Sequence, residues 1–226
     1  MSLWTRISDA LAALRQGDPL SKVFQHLRTP PERTVGFAIA VIALGAKMAK
    51  ADGMVTRGEV MAFRDIFHIP RAEEANAARV FNLARQDVAG FESYARQIER
   101  MFGKGHQVLA DLMEGLFHIA LADGDYNPQE DEFLRIVAGI FGIGERDFRG
   151  IRARYVGDAP PDPYDVLGIE PDQDLAQIKA RWRHLVRECH PDRMIARGVP
   201  AEAVRLAERR LIAINRAWEE ISAAQG

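Results

Sequence analysis

The chain has 226 residues, of which 47% are hydrophobic and 27% charged, a composition typical of a globular protein rather than a disordered or fibrous one. The formal net charge of −2 gives no overall attraction to nucleic acid or anionic lipid, so no nucleic-acid partner is expected and electrostatic recognition must be local. One cysteine cannot form an intramolecular disulfide, and the Cys and His residues lack zinc-ligand spacing, which favours a reducing, cytoplasmic location.

Residues 1–29 are predicted to contain an amphipathic helix that docks on the core of the following domain. Its apolar face consists of Leu3, Trp4, Ile7, Leu11 and Leu14. The segment lacks the basic region and long apolar run of a signal peptide. A helix lying on a membrane surface is the alternative, which leaves a peripheral association with the inner membrane open.

Residues 30–156 carry helical periodicity and no sustained alternation of apolar and polar residues, which predicts an all-α fold. Gly and Pro interruptions divide the chain before residue 156 into six to eight predicted helices. The most apolar segment, residues 35–46, is stopped by Lys47 well short of the roughly 20 residues that a spanning helix needs. We therefore interpret it as a buried helix.

A turn of one pattern, A-x-A-D-G-x-x-(T/N)-x-x-E, occurs at residues 49–59 and again at residues 120–130. Two copies suggest a duplicated helical unit rather than a solenoid. In the structural interpretation, the glycine ends one helix at positive φ, the Thr or Asn caps the next, and the glutamate completes a capping box. These residues are Gly53, Thr56 and Glu59 in the first copy, and Gly124, Asn127 and Glu130 in the second.

The alternative interpretation of the repeated turn is a calcium or magnesium site built from hard oxygen ligands. Its candidate ligands are Asp52, Glu59, Asp123 and Glu130. The second copy is not an EF-hand, because counting from Asp123 places Pro128 and Leu134 where that loop needs Gly and Glu. The turns resemble those of the TerB-like helical domain, over most of residues 30–150, and this resemblance implies an acidic surface able to bind a metal.

Clustered prolines at residues 157–163 predict a linker, because proline lacks an amide donor and disfavours helix in the residue before it. Residues 164–226 then form a second, smaller domain of a size that can fold alone. The second domain opens with a helical turn from Tyr164 to Gly168, and Asp174 caps the helix that follows.

The helix after Asp174 has two faces of different chemistry. Its apolar stripe, which we expect to be buried, consists of Ile178, Trp182, Leu185 and Cys189. Lys179, Arg183 and Arg187 are four residues apart and line a neighbouring face, with His184 nearby. Three positive charges on successive turns repel mildly, which favours a negatively charged partner, and an ordinary solvated face is the alternative.

The tripeptide His190-Pro191-Asp192 follows this helix directly. Pro191 restricts His190 to extended geometry, so both polar side chains are expected at the helix exit. A loop then leads to a final helix that packs antiparallel on the previous one, giving a hairpin with the tripeptide at its tip. An enzyme with Cys189 as nucleophile and His190 as base is disfavoured, because adjacent helical residues project about 100° apart.

Four motifs occur in order over residues 162–223: a Tyr-x-x-Leu-Gly opening, a basic helix, the His-Pro-Asp tripeptide and an Ile-Asn-x-Ala-aromatic helix. This order resembles the J-domain of DnaJ-type co-chaperones, and with the TerB-like region in front it resembles the DjlA-like branch of that family. The resemblance implies a TerB-like helical bundle followed by a J-domain hairpin. It also implies that the chain is not an enzyme but a co-chaperone, which binds a DnaK-type chaperone and stimulates its ATPase.

The resemblance also implies roles for individual residues. It implies that Lys179, Trp182, Arg183, His184 and Arg187 contact the chaperone and that His190, Pro191 and Asp192 transmit the signal. The TerB-like domain is expected to supply specificity for a client or complex. Members of the branch typically begin with a membrane-spanning helix, which residues 1–29 do not contain, so membrane association stays open. The alternative function is a stress protein that responds to calcium or magnesium through the TerB-like domain.

Overall fold

The computed structural model describes residues 3–14, 18, 20–23, 32–51, 69, 71, 74–86, 90–122, 124, 126–156, 161–201 and 205–224. Most of these residues are helical and none lies in a strand, which confirms the all-α prediction. The α-helices are α1 (Leu3–Ala12), α2 (Glu32–Ala51), α3 (Glu74–Gln86), α4 (Phe91–Phe102), α5 (Gln107–Ala120), α6 (Pro128–Phe141), α7 (Glu145–Tyr155), α8 (Pro163–Leu167), α9 (Leu175–Glu188), α10 (Pro191–Ala196) and α11 (Arg205–Ala224).

The first two helices bury the apolar faces predicted for them. Helix α1 packs against α2 and α3 through Leu3, Trp4, Ile7 and Leu11, all of which are buried. In α2 every residue from Val35 to Met48 is buried. Both the docked N-terminal helix and the buried apolar helix are thus confirmed. Among the described helices, none has the length and apolar character needed to cross a membrane.

Helix α5 lies at the centre of the molecule and contacts α2, α4, α6, α7 and α11. Its apolar residues are buried almost throughout, and two carboxylates, Asp111 and Glu114, are buried with them at 1% exposure each. A carboxylate is seldom buried without a partner, because the charged form loses its hydration. The partners of these two residues come from both domains, as described below.

The second copy of the repeated turn has the predicted structural role. Gly124 has a φ of 86°, and Asn127 caps α6 by accepting hydrogen bonds from the backbone N–H groups of Gln129 and Glu130. The Glu130 carboxylate in turn accepts from the Asn127 N–H at 3.0 Å, which completes the capping box. Residues 52–59 of the first copy lie outside the described part of the chain.

The second domain is a helical hairpin of α9 and α11 with α8 packed beside it. Asp162 caps α8, whose first residue is Pro163, one residue before the predicted start of this domain. The hairpin is closed by Trp182, which stacks on Trp218 at 5.1 Å between ring centroids and donates its indole N–H to Asn215 at 3.0 Å. Trp182 is therefore half-buried in the hairpin.

The segment after the tripeptide differs from the predicted loop, because residues 191–196 form helix α10. Pro191 occupies the first helical position, where its missing amide hydrogen costs nothing. The His190 side chain caps the helix by accepting from the Asp192 N–H at 3.2 Å. The predicted helix exit is therefore also the start of another helix.

The two domains pack closely where α7 meets α8. Gly150 of α7 is buried, and a Cβ placed on it would lie 2.9 Å from the backbone oxygen of Asp165 in α8. After α9, Met194 and Val199 belong to the hydrophobic core of the first domain. The proline-rich segment therefore connects two domains that share an interface.

We expect Gly150→Ala to destabilise the folded chain, because the added methyl group meets a backbone oxygen that cannot rotate away. Overpacking of this kind costs about 1–3 kcal/mol of unfolding free energy. Chemical denaturation followed by circular dichroism measures the change. The matched control is Gly139→Ala in the last turn of α6, where a Cβ meets nothing within 4 Å and alanine should stabilise by up to about 1 kcal/mol. Equal effects of the two substitutions would contradict the proposed close contact.

Candidate functional site

One face of α9 presents the predicted basic side chains to solvent. Lys179, Arg183 and Arg187 are exposed, as is His184. None of the three cations forms an ion pair with another described residue, although acidic residues are frequent in the chain. Cations held on successive helical turns without counter-charges repel one another mildly, so an acidic partner lowers their free energy.

Two neighbours of this basic face point elsewhere. Arg181 donates to Asp147 of α7 at 2.7 Å and to the backbone oxygen of Leu167 at 3.1 Å, so it joins α9 to the rest of the molecule. Trp182 lies in the hairpin packing described above. The structure thus brings together four of the five predicted contact residues on the exposed side of α9 and places Trp182 behind them.

The tripeptide is displayed at the end of this basic helix. The side chains of His190 and Asp192 are 62% and 89% exposed, and Pro191 is also exposed. The backbone oxygen of His190 accepts from the N–H groups of Arg193 and Met194, which fixes the first turn of α10. Because Nδ1 of His190 acts as an acceptor, the neutral ring carries its proton on Nε2.

Ion pairs and hydrogen bonds to Glu188 hold the tripeptide turn in place. The Glu188 carboxylate at the end of α9 accepts hydrogen bonds from Arg193 and, at 3.3 Å, from Arg197. Arg197 also donates to the backbone oxygen of Glu188 at 3.0 Å. Arg197 follows α10, so its contacts with Glu188 tie together the two ends of the tripeptide turn.

Arg197 also connects the turn with the first domain through a buried set of charged side chains, which we call the charge cluster. Its members are Asp111, Glu114, Arg154, Arg197 and Arg210. Asp111 accepts from Arg197 at 2.6 and 3.1 Å and from Arg210 at 2.8 Å. Glu114 accepts from Arg210 at 2.8 Å and from Arg154. The five side chains are at most 9% exposed, so solvent screens these pairs very little.

Burial and neighbouring charges perturb the ionisation of groups around the cluster. Burial by itself lowers the pKa of Arg210, but the adjacent Glu114 and Asp111 carboxylates outweigh it and hold the pKa well above its ordinary value. Arg210 is therefore a permanent cation. Cys189, which is 3% exposed, has a raised pKa chiefly because burial disfavours the thiolate.

We expect Cys189 of the folded chain to resist iodoacetamide at neutral pH, because the thiol is covered and its raised pKa depletes the reactive thiolate. In denaturant the same residue should be modified completely, as measured by intact mass. Since the unfolded thiol ionises near pH 8.5 and the folded one higher, the stability contributed by this group is present below that pH and is lost as the pH rises. Rapid modification of the folded chain would show that Cys189 is accessible and reactive, and an enzyme with Cys189 as nucleophile would again be a candidate.

We expect Glu114→Gln to destabilise the chain strongly, because Arg154 and Arg210 would keep their charges in a buried site with one counter-charge fewer. Breaking a buried pair on one side costs about 3–5 kcal/mol. Urea denaturation measures this loss. As a control, Glu220→Gln removes the exposed pair of Glu220 with Arg216 and should change the unfolding free energy by less than about 0.5 kcal/mol. Similar effects of the two substitutions would show that the charge cluster is not isolated from solvent.

Of the four predicted metal ligands, the described part of the chain contains Glu130 alone. Asp52, Glu59 and Asp123 lie outside the described residues, and Glu130 is 5% exposed and occupied by its capping box. The described residues contain no group of three or more His, Cys, Asp and Glu side chains arranged to hold a metal ion. A calcium or magnesium site, and the metal-responsive function with it, stays a prediction.

Both domains match known families. Residues 38–153 match the family described as tellurite resistance protein TerB, and residues 162–225 match the DnaJ domain. Three similar relatives are named co-chaperone protein DjlA. The Aliivibrio fischeri protein is 27% identical over 86% of this chain and 81% of its own length. The Escherichia coli K12 protein is 24% identical over 86% of this chain and 82% of its own length. The Photobacterium profundum protein is 25% identical over 86% of this chain and 80% of its own length.

The chain belongs to the TerB family and carries a DnaJ domain after the TerB region, so its domain order matches that of a DjlA-like J-domain co-chaperone. Its TerB-like domain contains α2–α7 and its J-domain contains α8–α11, so the sequence-based resemblance to both is confirmed. No solved structure matches the chain significantly. In this DjlA-like chain the J-domain rests against the TerB-like domain through the charge cluster, with its tripeptide exposed.

Sequence reasoning missed the charge cluster, although α5 carries a signal of it. Asp111 and Glu114 stand three residues apart within a helix whose other residues are almost all apolar. Two carboxylates on one side of such a helix indicate buried partners, because unpaired carboxylates would not be buried. Their arginine partners lie 40 to 99 residues away, where no local pattern marks them.

Proposed function

We propose that this DjlA-like co-chaperone binds a DnaK-type chaperone through the basic face of α9 and stimulates its ATPase through His190-Pro191-Asp192. The observation that carries the proposal is the joint exposure of these two features, one along α9 and the other directly after it, while the J-domain is packed on its neighbour. The chaperone therefore has access to both features without separation of the domains.

The two features are suited to different steps. Lys179, Arg183 and Arg187 provide long-range attraction to an acidic surface, which raises the rate of encounter and depends on ionic strength. The tripeptide offers the Nε2–H of the exposed His190 side chain and the carboxylate of Asp192 as short-range contacts. Stimulation requires that these contacts be stronger with the hydrolysis-competent state of the chaperone than with its resting state.

The chemistry in this proposal belongs to the chaperone and not to the chain. Cys189 is buried, and its pKa is raised, which is the opposite of what a nucleophile needs. The TerB-like domain is proposed to supply specificity for a client protein or complex. A fixed arrangement of the two domains supports this role, because it would hold a bound client at a constant position relative to the tripeptide.

We expect His190→Gln to abolish stimulation of a purified DnaK-type chaperone's ATPase, because it removes the imidazole and its cap on α10. Its thermal unfolding should change little, since His190 is exposed and a lost cap costs only about 1 kcal/mol. Steady-state ATP hydrolysis is measured against co-chaperone concentration. Stimulation equal to that of the unaltered chain would rule out the proposed function.

A second pair of variants separates attraction from signalling in the same assay. Arg183→Gln should raise the half-maximal concentration several-fold at low salt, and the difference should shrink as salt screens the charge. Arg216→Gln is the matched control, because Arg216 is an exposed arginine on α11 that is paired with Glu220 and lies away from the basic face. Equal effects of the two substitutions would mean that total charge, and not the α9 face, attracts the chaperone.

A further inference from the structure

The segment that follows the tripeptide is anchored in the other domain. Met194 and Val199 are 0% and 1% exposed and belong to the hydrophobic core of the TerB-like domain. His190 and Asp192, only a few residues earlier, are largely exposed. The exposed tripeptide is therefore carried on a short piece of chain whose far end is embedded in the TerB-like domain.

Helix α10 needs such anchoring because it has only six residues. Isolated helices shorter than about 12 residues are unstable in water, since nucleation is costly and few hydrogen bonds repay it. Ile195 is 49% exposed, so the apolar contacts of α10 come from Met194 on its opposite side. The helix whose first turn contains the tripeptide thus depends on packing against the neighbouring domain.

Arg197 provides the polar half of this anchoring. It donates two hydrogen bonds to the two carboxylate oxygens of Asp111, at 2.6 and 3.1 Å, while two further bonds reach the side chain and backbone of Glu188. An arginine that donates two parallel hydrogen bonds to one carboxylate is fixed in its orientation to that carboxylate as well as in its distance from it. The path from Asp111 through Arg197 to Glu188 therefore connects α5 with both ends of the tripeptide turn.

We infer that Asp111 is a positioning residue for the His190-Pro191-Asp192 turn, acting through Arg197, so that the TerB-like domain is part of the unit that signals to the chaperone. The inference rests on the proposed function and adds to it a role for the TerB-like domain besides specificity. Without Asp111, Arg197 keeps its bonds to Glu188 but loses its fixed point in the other domain. The turn then samples several orientations, and the fraction that is competent to signal falls.

Hydrogen exchange in the full chain tests the structural half of the inference. Three amides report on the segment, because the N–H groups of Met194, Arg197 and Val199 bond to backbone oxygens within it. Asp111→Asn should accelerate their exchange by about tenfold or more, while the amides of α9 keep their protection. Unchanged exchange at these amides would overturn the inference.

The matched control for exchange is Asp131→Asn. It removes ion pairs with Arg135 and Arg152 that lie wholly within the TerB-like domain, so it reproduces the loss of a carboxylate without touching the turn. Protection of the segment should be retained in this variant. If it is lost as in Asp111→Asn, general destabilisation explains both results and the positioning role is wrong.

Stimulation of the chaperone's ATPase tests the functional half. Asp111→Asn should lower maximal stimulation roughly three- to tenfold with little change in the half-maximal concentration, because the basic face of α9 is intact. Asp111→Glu, which keeps the charge, should restore part of the loss. Full stimulation despite accelerated exchange would overturn the inference, as would a rise in stimulation, which would make the contact inhibitory.

A further variant covers the case in which Asp111→Asn fails to fold. The pair Asp111→Asn with Arg197→Gln removes the same bridge while keeping the buried charges in balance, and it should show the same exchange and stimulation effects. If the unaltered chain does not stimulate any DnaK-type ATPase, the proposed function is wrong. The exchange measurement still decides whether Asp111 holds the turn.

Discussion

The arrangement of this molecule depends on the pairing of two buried carboxylates with three arginines. Asp111 and Glu114 are fixed in the central helix α5, and their partners Arg154, Arg197 and Arg210 come from three other parts of the chain. A charge moved out of water without a partner costs several kcal/mol, so each residue of the set requires the others to stay in place. Separation of the domains would hydrate some of these groups but would also expose Met194 and Val199.

Buried ion pairs are seldom better stabilisers than well-packed apolar residues of similar size, so their value here is geometric. Gly150 sets how near α8 can come to α7, since any larger residue would meet the Asp165 backbone oxygen. The charge cluster sets the relative rotation, because hydrogen bonds to carboxylates are directional in a way that apolar contacts are not. Distance and rotation together leave the J-domain one orientation on its neighbour.

Local features of this fold were predictable from sequence because each depends on residues close together in the chain. The cap at Asp174, the turn from Gly124 to Glu130 and the buried position of Cys189 all follow from spacings of a few residues. The docking of the domains was not predictable in this way. Asp111 and Glu114 indicate that cationic partners must lie beside them. The chain has 30 Lys and Arg residues, however, and only the folded structure shows which three pair with the two carboxylates.

The position of Met194 and Val199 in the first domain's core bears on how freely this J-domain can be exchanged. Excision at the proline-rich segment would leave those two apolar residues in water, and Arg210 would lose both of its carboxylates. A chimera that receives this J-domain would therefore also need the matching side of α5. The exchangeable unit is therefore the hairpin together with the residues of the TerB-like domain that support it.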